Sequence, residues 1–338
     1  MIIREDFSLQ KLNTFGIDVA AKYFAEVSTR EELKEIITEK KFVGEAKLIL
    51  GGGSNILFTK NFNGLVINNL LQGVEIIEEN DSTVLIKAGA GIIWHDLVLF
   101  SIGKNLGGIE NLSLIPGRVG AAPIQNIGAY GVELKYTFHE LAAIHLSSGE
   151  EKTFSLEDCK FAYRNSIFKN EAKNQYIIIS VTLKLNRNPK FNISYGAIEQ
   201  ELKAMNVTDL SVKAISEAVC NIRRSKLPDP SVIGNAGSFF KNPEVPEQKY
   251  KELKAGYSDM VAYPTSTGNM KLAAGWMIEQ CGWKGKQVGN VGMHKQQALV
   301  LVNYGKATAD ELYQHALRVQ KSVEEKFGVL LEMEVNIV

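Results

Sequence analysis

The chain of 338 residues is 45% hydrophobic and carries 38 basic against 38 acidic side chains, a formal net charge of zero, which excludes bulk-charge binding to nucleic acid or an anionic membrane and leaves only local basic pockets. The length supplies core for two or three domains. The start, Met1-Ile2-Ile3-Arg4-Glu5-Asp6, has no secretory apolar core, no uncharged apolar run of spanning length follows, and Cys159, Cys220 and Cys281 show no metal-ligand spacing, so the expectation is a cytoplasmic protein with free thiols, no membrane span and no metal.

In chain order, Thr29-Arg30-Glu31-Glu32 is a capping-box pattern that opens a short amphipathic helix with Leu33, Ile36 and Ile37 on one side. Lys47–Leu50, Leu65–Ile67 and Val84–Lys87 read as short strands punctuated by glycine. Asp96–Ile102 reads as a helix after Gly89-Ala90-Gly91, and Tyr176–Leu185, rich in β-branched residues, as a buried strand. The polar turn Asn186-Arg187-Asn188-Pro189 suggests a boundary. Beyond it, Ser211–Arg224 predicts a helix with Val212, Ile215, Val219 and Ile222 on its apolar stripe, stopped by Pro228 and Pro230. Ala298–Val302 predicts a strand. Thr308-Ala309-Asp310-Glu311 caps a last helix running to about Phe327, with Gly328 as its terminator, and Leu330–Val338 predicts a strand carrying Glu332 and Glu334. This mixture is the texture of an α+β protein.

Two glycine-rich stretches stand out. Gly51-Gly52-Gly53-Ser54-Asn55 follows the apolar run Leu48-Ile49-Leu50, and Pro116-Gly117-Arg118-Val119-Gly120-Ala121-Ala122-Pro123 leads into Asn126-Ile127-Gly128-Ala129-Tyr130-Gly131. Such segments let backbone N–H groups approach an anion closely, so a phosphate-bearing cofactor is the first hypothesis. The triple glycine lacks the lysine and hydroxyl of a Walker loop. Gly89-Ala90-Gly91-Ile92-Ile93-Trp94 begins like a dinucleotide fingerprint with Glu110 downstream, but Trp94 stands where close helix packing wants the third glycine, which favours a plain strand–turn–helix. Alone, the triple glycine reads equally well as a structural turn. Joined to 116–131, it favours cofactor binding.

The order and spacing of these segments resemble the bacterial UDP-N-acetylenolpyruvoylglucosamine reductase family over nearly the whole chain. The resemblance runs through Asn13-Thr14-Phe15, Gly51–Asn55, Ile115–Gly131, Tyr163-Arg164-Asn165-Ser166, Gly234–Pro243, Ala274-Gly275-Trp276-Met277-Ile278 and Leu331-Glu332-Met333-Glu334-Val335. Ser194-Tyr195-Gly196, ahead of Lys226-Leu227-Pro228-Asp229-Pro230, resembles the branch whose tyrosine-bearing loop covers substrate. The resemblance implies an α+β chain with a two-subdomain FAD-binding region of the PCMH/vanillyl-alcohol-oxidase type, at 1–70 and 71–188, plus a C-terminal α+β substrate-binding domain at 189–325 and a C-terminal strand at 326–338 returning to the active site. It further implies a monomeric cytoplasmic flavoprotein with UDP-N-acetylmuramate dehydrogenase activity (EC 1.3.1.98). NADPH would be the hydride donor, noncovalent FAD the relay and UDP-N-acetylglucosamine enolpyruvate the substrate. The setting would be peptidoglycan precursor synthesis, hence cell-wall biogenesis, cell shape and cell division.

Site residues follow from the same resemblance. Gly51, Gly52, Gly53, Ser54, Asn55, Pro116, Gly117, Gly120, Ala121, Gln125, Asn126, Gly128, Ala129 and Tyr130 would hold FAD, and Tyr195, Lys226, Asn242, Tyr263 and Gln297 the substrate. Hydride delivered to C3 of an enolpyruvyl group puts enolate character on C2 and the carboxylate; Ser238 would protonate C2, with Arg164 and Glu334 stabilising the charge. Read singly, these residues have plainer roles: Arg164 as a surface charge, Ser238 as a turn residue, and Glu334 with Glu332 on a solvated strand face. Lys226 and Asn242 read as surface residues and Tyr195 as a core aromatic. Arg118 stands where relatives often place a small or hydroxyl residue, and either contacts the FAD pyrophosphate or points to water. Met333 replaces a frequent proline. Two other readings stay open: a flavin oxidase or dehydrogenase acting on an alcohol or sugar, and a noncatalytic nucleotide-sugar module.

Overall fold

The computed structural model describes residues 1–265 and 267–338. Packing divides them into two compact units, one of residues 1–7, 20–52 and 62–225, the other of residues 8–19, 53–61 and 226–338.

The first unit contains two large sheets and one two-stranded hairpin. In one, of four strands in the order Ile3–Ser8, Ala20–Val27, Phe62–Asn69, Lys47–Leu50, the strand Phe62–Asn69 runs parallel to both neighbours, with Ile67 opposite Ala25 on one side and Ile49 on the other. Parallel pairing covers both faces, and Gly64–Asn69 is accordingly buried without interruption. The crossover uses the helix Arg30–Thr38, whose predicted capping box is present: the Thr29 hydroxyl accepts from Glu32 N–H at 3.1 Å, the Glu32 carboxylate accepts from Thr29 N–H at 3.3 Å, and Leu33, Ile36 and Ile37 are buried.

The other sheet has five strands in the order Glu151–Ser155, Phe138–His145, Tyr176–Asn186, Thr83–Gly89, Val74–Glu79, all antiparallel. The predicted strand at Tyr176 is central, with Ile177–Leu183 buried throughout. The helix Trp94–Gly103 packs on this sheet, and Trp94, in the position where a dinucleotide fold wants glycine, fills the core and donates its indole N–H to Leu112 O at 2.9 Å. Two further helices, Gly196–Ala204 and Val212–Lys226, pack on each other through Ile198, Leu202, Ile215, Val219 and Ile222. Contact thus groups 189–225 with the two large sheets of the first unit.

The second unit is built on a four-stranded antiparallel sheet in the order Gly234–Ser238, Val300–Asn303, Val291–Met293, Gln287–Val288. The helix Ala309–Phe327 buries Leu312, His315, Ala316, Val319, Val323 and Phe327, begins at the predicted Thr308–Glu311 capping box and ends at Gly328 with φ 61°. The strand predicted at Ala298–Val302 starts instead at Val300, because a turn closed by Val300 N–H to Gln297 O at 3.0 Å occupies the residues before it.

The predicted strand over Leu330–Val338, like the returning strand at 326–338, needs correction: 326 and 327 end the helix, and only Asn336–Ile337 is a strand, parallel to Ile56–Leu57. The backbone before it bonds elsewhere, with Lys241 N–H on Glu332 O at 2.8 Å, Phe240 bridging Met333, and Glu334 N–H on Phe239 O at 2.8 Å. One segment splitting its partners between two neighbours cannot keep a single ladder. Among the described residues, no helix is long and apolar enough to cross a membrane.

Candidate active site

In the first unit, candidate residues gather around a hairpin. The short strands Gly128–Ala129 and Val132–Glu133 are joined by Tyr130 (φ 49°) and Gly131 (φ 78°), two left-handed residues, as a type I′ connection requires. The preceding 3-10 turn, Val119–Gln125, ends at Asn126 (φ 45°), whose side chain braces the hairpin by donating to Glu133 Oε2 at 3.2 Å and Ala162 O at 3.1 Å and accepting from Lys135 N–H at 3.0 Å. Arg164, itself at φ 51°, donates to Gly128 O at 2.7 Å. The Tyr195 ring meets the Tyr130 ring edge-on at 5.4 Å. Left-handed backbone at three non-glycine residues in one small region marks a place where the fold imposes geometry on side chains.

Two residues that sequence reasoning missed complete this cluster. Arg223, in the last turn of Val212–Lys226, donates from Nε to Leu114 O at 3.2 Å and lies within electrostatic reach of the Tyr130 hydroxyl and of Arg164. Burial lowers its pKa and raises that of the Tyr130 phenol. Its only sequence signal was a basic residue at a helix C-terminus, where the dipole favours one anyway. Asn111, fully buried, donates to Tyr130 O at 3.1 Å and Asn192 O at 2.8 Å, tying the hairpin to the segment before Tyr195. No motif announces it.

The glycine stretches fit a bound diphosphate group. A Cβ on Gly52 would stand 3.0 Å from Gly117 Cα, and one on Gly120 would stand 2.6 Å from Ala90 Cβ. Gly53, in the second unit, has φ 61° and a hypothetical Cβ only 1.9 Å from Leu12 O; its own carbonyl accepts from Thr14 N–H at 3.0 Å. Asn13 fixes that neighbouring turn through Leu9 O, Ile17 O and Ile17 N–H, each at 2.9 Å. Glycine at these positions lets backbone segments approach closely, the local chain geometry that phosphate-binding turns use.

In the second unit, Ser238 ends the strand Gly234–Ser238 just after Gly237 (φ 70°), at a bulge that breaks register between Asn235 and Ser238. The Phe239–Glu334 backbone bond places the Glu334 residue beside the one following Ser238. Asn55 donates to Glu334 O at 3.3 Å, while Asn55 O accepts from Asn336 N–H at 3.1 Å. Glu334 is partly buried, whereas Glu332 is exposed and pairs with Lys241, so the two glutamates do not share a solvated face. Asn242 accepts from Ala274 N–H at 3.0 Å, giving its side-chain carbonyl a structural task at the start of the helix Ala274–Gln280. The Gln297 side-chain oxygen lies against Gly275, while Tyr263 and Lys226 are exposed. Among the described residues, no group of His, Cys, Asp and Glu is placed to hold a metal.

Comparison with known proteins gives a consistent result. Residues 229–338 match the family model described as UDP-N-acetylenolpyruvoylglucosamine reductase, C-terminal domain, and residues 21–155 match the FAD binding domain model. A UDP-N-acetylenolpyruvoylglucosamine reductase from Flavobacterium johnsoniae is 51% identical, with 100% of each chain covered, and one from Pseudomonas putida is 44% identical over 99% of this chain and 98% of its own. The crystal structure of the corresponding Thermus caldophilus reductase superposes with a TM-score of 0.69 at 24% identity, covering 100% of this chain and 99% of that one.

Proposed function

The chain belongs to the UDP-N-acetylenolpyruvoylglucosamine reductase family, and from that premise we propose that Arg164, Ser238 and Glu334 carry its chemistry, with Arg223 supporting Tyr130 in the same hairpin cluster as Arg164. The activity is the NADPH-dependent reduction of the enolpyruvyl group of UDP-N-acetylglucosamine enolpyruvate to UDP-N-acetylmuramate (EC 1.3.1.98), with FAD as cofactor. The fold is mixed α and β, an FAD binding domain followed by the reductase family's C-terminal domain, and we read the first as the PCMH/vanillyl-alcohol-oxidase type and the second as the α+β substrate-binding domain.

When bound, FAD supplies the relay by which a hydride from NADPH reaches C3 of the enolpyruvyl group. Gly51–Asn55, the glycines and alanines of 116–129, Gln125, Asn126 and Tyr130 are the residues proposed to hold it. The remaining work falls to side chains. Hydride arrival at C3 makes C2 strongly basic, and a serine hydroxyl is acid enough for such a carbon if held within hydrogen-bond reach. Arg164 offers forked donors to the substrate carboxylate, and Glu334 acts on the same group or on Ser238. Tyr195, Lys226, Asn242, Tyr263 and Gln297 are proposed to bind the nucleotide-sugar, Lys226 as a cation for its phosphates. Residues 1–70 and 71–188 would then serve the cofactor and 189–325 the substrate, in a monomer acting in the cytoplasm without nucleic-acid partners.

The observation that carries this reading is the 2.8 Å backbone bond from Glu334 to Phe239. It brings the backbone of Glu334 beside that of Phe239, the residue that follows the proposed acid Ser238. The test is rapid mixing of the two half-reactions with Ser238→Ala: flavin reduction by NADPH should stay near wild type, while reoxidation by the enolpyruvyl substrate slows by roughly 10²–10⁴-fold, the usual share of general-acid catalysis. Near-normal reoxidation would remove Ser238 as the donor.

A further inference from the structure

Arg118 has no assigned role, and its sequence context leaves it facing either a ligand or water. The structure turns it inward. One Nη donates to the Gly91 carbonyl, and Nε is buried with no hydrogen-bond partner. Its stem runs past Gly51, where a hypothetical Cβ would lie 3.7 Å from Arg118 Cβ and 3.9 Å from Cδ, next to the close approach of Gly52 and Gly117. The side chain therefore lies beside the meeting point of the two glycine stretches.

No carboxylate among the described residues forms an ion pair with it. Glu26, the acid that acts on it at longer range, lies 3.7 Å from Arg4 and accepts from Asn68 at 3.3 Å. Burial lowers the Arg118 pKa, yet a guanidinium stays charged at any physiological pH. Nor is its bond to Gly91 needed to hold the two turns together, since Val119 N–H to Ile92 O and Gly120 N–H to Ala90 O, both at 2.9 Å, and Trp94 N–H to Gly117 O at 3.0 Å already do so. A partly buried cation with an unused donor and no counter-ion is costly unless a ligand brings the anion.

We propose that Arg118 is a cofactor-binding residue whose guanidinium makes a charge-assisted contact with the diphosphate received by the glycine cradle. This rests on the reading that Gly51–Asn55 and Pro116–Gly131 hold FAD.

The test is FAD titration of the apoprotein, followed by quenching of flavin fluorescence at low and at high salt, for wild type, Arg118→Gln and Arg118→Lys. Glutamine keeps a donor for the Gly91 carbonyl and drops the charge. Its Kd for FAD should rise about 10- to 100-fold at low salt, the range for losing a hydrogen bond to a charged group, and the gap should narrow at high salt. Lysine should recover part of the loss. The thermal midpoint of each apoprotein reports folding separately, and if glutamine lowers it, the lysine variant carries the comparison. A well-folded glutamine variant with wild-type affinity, or one whose loss is the same at both salts, overturns the proposal. Failure of the cradle reading looks different: Gly51→Leu, at a position whose Cβ would meet only ordinary contacts, then also leaves the Kd for FAD at the wild-type value.

Discussion

His315 is wholly buried on the inner face of its helix, edge-on to Trp283 at 5.1 Å, and neither ring nitrogen has a hydrogen-bond partner. Burial first, then the cations Arg318 and Lys286, push its pKa from 6.5 down to about 4. The folded chain therefore holds it neutral while the unfolded chain takes up a proton near 6.5. The sign follows: its stabilising contribution is complete above that pH and is lost as pH falls towards 4, by an amount on the order of 3 kcal/mol at the limit. Urea midpoints at pH 7 and pH 5 should differ more for wild type than for His315→Leu. Equal differences would mean that His315 titrates normally in the folded state.

Elements that start from local chemistry were legible in the sequence, and those made by tertiary pairing were not. The Thr29 and Thr308 capping boxes fixed two helix starts because each is a closed set of hydrogen bonds within four residues. Thr308→Ala should accordingly cost about 1 kcal/mol, read from chemical denaturation, and Thr308→Ser should restore most of it. By contrast, the strands Ile3–Ser8, Val74–Glu79 and Glu151–Ser155 lie at sheet edges with mostly exposed, charged side chains, and nothing in their periodicity distinguishes them from loops. The segment before Val338 failed for the opposite reason: it is apolar and alternating enough for a strand but shares its backbone bonds between two neighbours. The site divides in the same way. Glycine clusters are visible as such, whereas Ser238 and Glu334 gain meaning only through a bond between residues 95 positions apart in sequence, Phe239 and Glu334. Arg223 was hidden because a helix terminus accounts for a basic residue without any ligand.

For the molecule as a whole, the cofactor should be held without a covalent bond. Attachment through sulfur needs a thiolate, and burial raises the thiols of Cys220 and Cys281 and pushes that of Cys159 up to about 12. Acid precipitation of the holoprotein should leave the yellow chromophore in the supernatant, chromatographing as FAD. Flavin retained on the pellet would show a covalent link.

The second unit is sewn from three separated stretches: Thr14 O accepts from Asn235 N–H at 3.0 Å, Phe15 O accepts from the Asn303 side chain at 2.9 Å, and Ile56–Leu57 pairs with Asn336–Ile337. On the ribosome this sets a timetable. Leu9, Phe15, Ile17, Leu57 and Phe58, all buried in the finished protein, emerge early and complete their unit only when residues beyond 226 are made, on the order of ten to thirty seconds later at ordinary elongation speed. During that interval the nascent chain carries two apolar segments whose burial waits on its last third.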